Sequence, residues 1–450
     1  MGYGNRDVVV SLRGLVILCL FGLGGIAAFA NPIWGLLGYL GHYYLWPERQ
    51  WWGQILAASG IRFSLTFALI TIAASLVRWD EYLGRDARSP ITRTEIVYWT
   101  FVAWVAITSI WSARFGVEWN SPDSSLPKLV KIGIICFFLM RIVNSESQWR
   151  RVVWFMFLVG GVYLGWLARE VPSSSFAKGR LNDFGGPDFS DSNAFAVHMV
   201  SMGVLGLGLV LVYRKWLVRL GVLAGGAFVA NAYILTESRG ATVALIGGGV
   251  AILFLVERRM RPIVIFLLVL TLSVSLTVLV NQRFMQRIRT TFAGEEYRDA
   301  SAASRLEIWQ ASARIVADHP FGVGVDRFFD VIGDYEPKHA GRDAHNTYLR
   351  CGVELGVPGL LLFGGMIVVT FRSLRRTRQI ARQAELDDWL VFITGMEVVL
   401  IVNLLGGLTI TLLYVESPYH YLFLSACIEP LVVLAADAEQ TQSETSGVVA

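Results

Sequence analysis

ATVALIGGGVAILFLVERRMRPIVIFLLVLTLSVSLTVLV, residues 241–280, consists of one apolar run, a short basic break, and a second apolar run. Each run is about the length that a helix needs to cross most of a hydrocarbon core of about 30 Å. Arg258, Arg259 and Arg261 stand where the two helices turn. The unit reads as a membrane hairpin, and it recurs. Further apolar runs lie at 12–29, 61–77, 96–112, 126–142, 149–170, 193–213, 216–236, 348–371, 389–413 and 419–436. With 54% hydrophobic and 16% charged residues and a mean hydropathy of +0.52, the chain has too little polar surface for a soluble globule. The expected fold is an all-α polytopic membrane protein with about twelve transmembrane helices and one large loop that contains helices.

Basic residues in short loops are retained on the cytoplasmic side. The clusters Arg141/Arg150/Arg151, Arg214/Lys215/Arg219, Arg258/Arg259/Arg261 and Arg372/Arg375/Arg376/Arg378/Arg382 fall at alternate ends of successive helices, so those turns are assigned to the cytoplasm. By alternation, 172–192, 237–240, 281–346 and 414–418 emerge on the opposite side. A shorter run, Asn31 to Trp46, is either a re-entrant hairpin or a short span, and parity depends on it. If it does not cross, both termini are cytoplasmic, which is the arrangement expected. No cleavable signal peptide is evident at 12–29. Cys19, Cys136, Cys351 and Cys427 lie in apolar runs without metal-ligand spacing and read as packing residues. The net charge of +4 follows from topology and does not point to nucleic acid. The chain divides into N-terminal helices (1–171), a central region with the long loop (172–371), C-terminal helices (372–436) and a polar tail (437–450) expected to be disordered and cytoplasmic.

The loop 281–346 is too long for a plain connector. After Ser304, read as an N-cap, Leu306, Trp309, Ala313 and Val316 recur at helical spacing up to Asp318-His319-Pro320, and Trp309 suits the headgroup level. Phe321-Gly322-Val323-Gly324-Val325 reads as a tight turn; with no strand before it, it is not a nucleotide loop.

Arg180, Arg239 and Arg305 all fall on the loop side, against the positive-inside bias. A guanidinium stays charged and grips phosphate oxygens in pairs. For any one of them, pairing with Asp183, Asp188, Glu307, Asp343 or a lipid headgroup is an equally good account; three at separate helix mouths tilt towards an anionic ligand. His345 stands just before a long apolar helix, and imidazole titrates near neutrality, which suits a proton acceptor. On residue type alone a single interfacial histidine is more often structural, and His42, His198, His319, His339 and His420 are read that way. Glu354, about 13 Å further along that helix at 1.5 Å per residue, is a functional candidate as a membrane carboxylate, or else a partner for a neighbouring helix.

Taken together, Gly179-Arg180-Leu181, Asp191-Ser192-Asn193-Ala194-Phe195-Ala196, Ser238-Arg239-Gly240, Ser304-Arg305-Leu306-Glu307-Ile308-Trp309, His319-Pro320-Phe321-Gly322-Val323-Gly324, His345-Asn346-Thr347-Tyr348-Leu349 and Glu354-Leu355-Gly356-Val357-Pro358-Gly359-Leu360 resemble the bacterial O-antigen ligase and O-antigen polymerase family of membrane glycosyltransferases. The resemblance covers roughly 175–370. The stretch from Asn31-Pro32 to Trp52 is similar to the branch of O-glycosylation ligases associated with exosortase systems. Asp191-Ser192-Asn193 departs from the Asp-Pro-Asn of many relatives.

The resemblance implies a GT-C-like enzyme of the bacterial inner membrane. It would move a glycan from undecaprenyl diphosphate to a hydroxyl acceptor at the periplasmic face, inverting and without cofactor or metal ion. A lipid A core acceptor is favoured; polymerisation of O-antigen or exopolysaccharide and protein O-glycosylation share the same motifs. By motif position, His345, Arg239 and Arg305 are expected to be catalytic, with Arg180, Asn193, Asn346, Tyr348 and Glu354 binding substrate. The expected partners are the lipid-linked donor, the acceptor and membrane lipids. A lipid-linked glycan transporter is the main reading from another class, but it should place its charges near the midplane and often shows repeats.

Overall fold

The computed structural model describes residues 12–448 except 51–52, 54–57, 85–89, 114–123, 172–175, 178, 183 and 275–299. The end of the apolar run to 280, the first part of the long loop and Asp183 lie outside the described residues.

The chain is a bundle of α-helices: α1 (Leu12–Ala30), α2 (Ile33–Leu45), α3 (Phe63–Val77), α4 (Arg93–Ala113), α5 (Ser125–Ile142) and α6 (Glu146–Leu167), then α7 (Ser192–Val212), α8 (Trp216–Leu235), α9 (Arg239–Leu255) and α10 (Arg261–Val274). The loop contributes α11 (Ala300–Asp318) and α12 (Phe328–Tyr335), followed by α13 (Thr347–Gln383), α14 (Asp387–Gly407), α15 (Glu416–Ala426) and α16 (Ile428–Val448). A two-residue ribbon pairs β1 (Phe176–Ala177) antiparallel with β2 (Arg180–Leu181). Among the described residues, eight helical spans are long and apolar enough to cross a membrane, and Phe63–Val77 and Arg239–Leu255 are shorter apolar helices. The protein is a polytopic membrane protein, and each apolar run read from the sequence is largely helical over its described part, although 389–413 is helical only to Gly407 and 419–436 is divided between α15 and α16.

The first hairpin departs from the expected topology. α2 runs antiparallel to α3: a Cβ on Gly38 would meet the Phe67 ring, one on Gly35 would meet Thr71, and His42 stacks on Phe63 at 6.3 Å. At 13 residues it is about 20 Å long, short for a span, yet buried along nearly its whole length. Burial among helices, not contact with lipid, lets so short a segment stand upright. α1 descends beside it, with Arg13 bonded to Glu170 at 2.8 Å. The start of α1 therefore lies at the end of the bundle that carries 170–192, and the expectation of both termini at the other end is corrected.

The expected disordered tail also differs, since α16 continues to Val448. Beyond Pro430 its Ala, Glu and Gln residues have high helix propensity and no further proline follows within it. Of the cysteines, Cys136, Cys351 and Cys427 are buried and Cys19 is exposed, all as free thiols.

A break in α13 fixes the loop. Gly356 has φ 68 and ψ −168, and Pro358, two residues on, has no N–H for the carbonyl of Glu354. The groups freed by the break find partners outside the helix. The Val353 carbonyl accepts from the N–H of Val323 (2.8 Å), that of Glu354 from Gly324 (2.9 Å), and the Val357 N–H donates to Pro320 (2.8 Å). The Leu355 carbonyl takes the Trp104 indole at 2.8 Å. The glycines are required by contact. A Cβ at Gly322 would stand 2.4 Å from the Glu354 carbonyl oxygen, and one at Gly356 2.4 Å from that of Pro320. Ser112 Oγ donates to the Val325 carbonyl at 2.9 Å, and Asp326 accepts from Ser125 N and Oγ at 2.9 and 2.5 Å.

Gly356→Ala should lower the thermal midpoint of the purified protein, with a loss of about 1–3 kcal/mol from the positive φ alone, and should hasten proteolysis within 300–346. An unchanged midpoint and cleavage rate would mean that the loop is not docked through this break.

Candidate functional site

The site is assembled where three helices begin. α7 starts after Asp191, whose Oδ1 accepts from Asn193 N at 2.6 Å and from Asn193 Nδ2 at 2.9 Å. α9 starts after Ser238, whose Oγ caps Ala241 N at 3.2 Å and donates to Asn193 Oδ1 at 2.9 Å. α13 starts after Asn346, whose Oδ1 accepts from the N–H groups of Tyr348 and Leu349, both at 3.0 Å. The turn after α14 draws the last two together. Asn346 Nδ2 donates to the Leu408 carbonyl at 3.1 Å, Thr347 Oγ1 to that of Ile410 at 2.8 Å, and a Cβ on Gly240 would meet Thr409. A helix start carries unpaired N–H groups and about half a positive charge. Three of them here face one region, which makes it electropositive before any side chain is counted.

The arginines add to that field. Arg180 leaves the ribbon, whose turn is made by Gly179 at φ 83. It donates from Nε to the Thr236 carbonyl and from an Nη to Asn193 Oδ1, both at 2.9 Å. Arg239 opens α9. Arg305 projects from α11 with its Nε buried and without a hydrogen-bond partner among the described residues. Burial, and next the guanidinium of Arg239, push the Arg305 pKa down, while Asp191 and Asp343 act the other way. A base whose folded pKa is lowered costs stability wherever it remains charged, here through the whole neutral range, and the cost is relieved only above the folded pKa or by a bound anion.

His345 stands at φ 46, a left-handed conformation that a non-glycine residue adopts at some cost. Asp343 holds it there: Oδ2 accepts its N–H at 3.2 Å, lies 3.6 Å from Nδ1 and accepts from Thr411 Oγ1 at 2.7 Å. Oδ1 takes Arg350 at 3.2 Å. The side chain of His345 remains 38% exposed. The indole of Trp309, one turn beyond Arg305, donates to the Ala344 carbonyl at 2.9 Å, so α11 is tied to the residue before His345. Trp309 acts here as a tether between α11 and the segment before His345.

Arg180, Asn193, Arg239, Arg305 and His345 thus share one region. Three other expected binding residues have structural placements. Asn346 is a helix cap with its side-chain amide also engaged, and the Tyr348 hydroxyl is committed to the Leu404 carbonyl at 2.8 Å. Glu354 is 0% exposed and accepts from Tyr414 at 2.6 Å, Arg350 at 3.1 Å and Phe328 N at 3.3 Å. A carboxylate so surrounded braces the loop. Of the acids weighed as arginine partners, Asp188 bonds to Lys128 and Tyr43, and Glu307 to His339 and Lys338. Sequence reasoning missed Asp343 as the orienter of His345; its only signal was its place two residues upstream. It also missed the turn 408–411, which acts mainly through backbone carbonyls.

The polytopic helical bundle thus gathers arginines, helix starts and an oriented histidine at one end. In the comparison with protein families, residues 224–364 match the family described as O-antigen ligase. The match contains α9, the described part of the long loop and the start of α13. The family implies an enzyme of glycan transfer in lipopolysaccharide synthesis, with a lipid-linked glycan donor and an acceptor. No curated protein matches the chain.

Inorganic pyrophosphate should raise the thermal midpoint of the wild-type protein, by up to about 2.7 kcal/mol at about 100-fold Kd. Arg305→Gln should melt no lower than wild type without the anion and gain little from it. An equal gain in Arg305→Gln would place the anion elsewhere.

Proposed function

We propose that this enzyme transfers a glycan from undecaprenyl diphosphate to a hydroxyl acceptor at the periplasmic face of the bacterial inner membrane. The observation that carries the reading is the convergence of Arg180, Arg239 and Arg305 on three helix starts beside a half-exposed, carboxylate-braced His345. The diphosphate of the donor lies against the arginines. His345 accepts the proton of the acceptor hydroxyl, whose oxygen forms the new bond to the anomeric carbon from the face opposite the diphosphate. The bond to the carrier oxygen breaks, and the diphosphate leaves with the bonding pair and inversion. Charge builds on the leaving group as that bond opens, and donors already in place cost no reorganisation at that moment. The guanidinium groups do this without a metal ion.

Asp343 fixes the imidazole and, through Arg350, ties it to the braced Glu354. Asn193 positions Arg180 and the start of α9 together. The family match favours the ligase reading, with a saccharide of the lipid A core as acceptor, over polymerisation or protein O-glycosylation.

The test is transfer in vitro from a polyprenyl diphosphate-linked donor, in excess EDTA, at matched protein level. His345→Gln should retain donor binding and lose about 10²–10⁴-fold in kcat. Arg239→Ala and Arg305→Ala should be severely impaired, with Lys restoring only part because it lacks the planar fork. A His345→Gln enzyme at the wild-type rate, with chemistry rate-limiting, would make the histidine a structural residue.

Orientation has its own test. A cysteine replacing exposed Gln310 on α11 should react with an impermeant thiol reagent from outside the inner membrane, and one replacing exposed Arg214 only after permeabilisation. The reverse pattern would put the site in the cytoplasm and remove the proposed donor.

A further inference from the structure

At the other end of the bundle the turn from α9 to α10 and the turn from α13 to α14 enclose a cavity of about 710 Å³. α9 separates it from Arg239 by about 24 Å at 1.5 Å per residue, so it is not part of the site already described. Arg258, Arg259, Arg261 and Arg382 line it. Two of these are neutralised locally: Arg259 bonds to Asp387, and Arg382 to Glu257 at 2.9 Å. Arg258 and Arg261 have no ion-pair partner among the described residues, and Arg261 Nε is buried without a hydrogen bond. An unmatched buried donor costs free energy unless something accepts from it. Glu385, exposed on the rim, is the one acid facing them without a partner of its own, which leaves the two arginines in excess.

The surroundings say what kind of anion fits. Phe254, on the rim, is 77% exposed, and Phe266 and Ile263 on α10 are also exposed on this apolar helix. In a membrane protein such side chains face acyl chains. We propose that the cavity binds the phosphate headgroup of an anionic phospholipid, with Arg258 and Arg261 on the phosphate and the acyl chains against Phe254 and Phe266. Basic pockets between transmembrane helices suit anionic headgroups, and each such contact contributes about 1 kcal/mol near the surface. The lipid would bridge α9–α10 and α13–α14 and so stiffen the far ends of two helices that carry Arg239 and the residue after Asn346.

The full-length protein in mild detergent tests this, with thermal midpoint read against added phosphatidylglycerol, phosphatidylcholine or inorganic phosphate. Phosphatidylglycerol should raise the midpoint and phosphatidylcholine should not. The double variant Arg258→Gln, Arg261→Gln should need at least about tenfold more phosphatidylglycerol for half the effect, while keeping the wild-type response to pyrophosphate at the Arg305 site. If the double variant does not accumulate, the exposed single change Arg258→Gln should give a shift of about fivefold. Equal responses to the two lipids, an unshifted variant, or full reproduction of the effect by inorganic phosphate would each overturn the proposal.

Discussion

A helix that breaks inside a membrane must find partners for the groups the break releases, and at Gly356 those partners are the loop itself. Val323, Gly324 and Pro320 exchange three backbone hydrogen bonds with α13 on the two sides of the break. Two glycines approach too closely for any side chain to intervene. The position of α11, and with it Arg305, depends on this junction. So does the segment that returns to Asp343 and His345. Buried Glu354 sits at the same junction, where Phe328, Arg350 and Tyr414 satisfy its oxygens. It is strongly held because removing any partner would leave a buried charge short of donors.

Much of this was legible in the sequence, and the failures have physical causes. The apolar ladder predicted the long membrane helices because a membrane span must satisfy its own backbone and face lipid, whereas α12 and the continuation of α16 were not predicted. Parity failed at α2. Hydropathy measures transfer into lipid, and α2 is buried against protein, so its length carried no information about whether it stands upright. Arg180, Arg239, Arg305 and His345 stood out in the sequence because each is charged or titratable, and the structure brings them into one region. Asn346, Tyr348 and Glu354 stood out on the same motifs, and the structure places them in the wall around that region. They lie in the same motifs as the exposed residues, and one-dimensional spacing cannot separate a residue that faces the site from one that holds its wall. The turn 408–411 acts through carbonyls, which any residue supplies, and left no signal.

The electrostatics of the site run against stability. Arg305 meets the field of Arg239, and its buried Nε has no hydrogen-bond partner among the described residues, while three helix starts add further positive potential. A protein selected for stability alone would place a carboxylate or a neutral side chain there. Asp191 and Asp343 lie close enough to offset the charge in part, but each is committed elsewhere, Asp191 to capping α7 and Asp343 to the backbone of His345, Thr411 and Arg350. Among the described residues, the site is therefore left short of negative charge.

That shortage and the orientation of His345 have a common origin in Asp343. Its carboxylate contributes to the potential at Arg305, fixes the strained backbone of His345 and faces the imidazole at 3.6 Å. One side chain thus links the charge around Arg305 to the backbone and ring of His345. That link follows from where the loop returns to α13, which the junction at Gly356 determines.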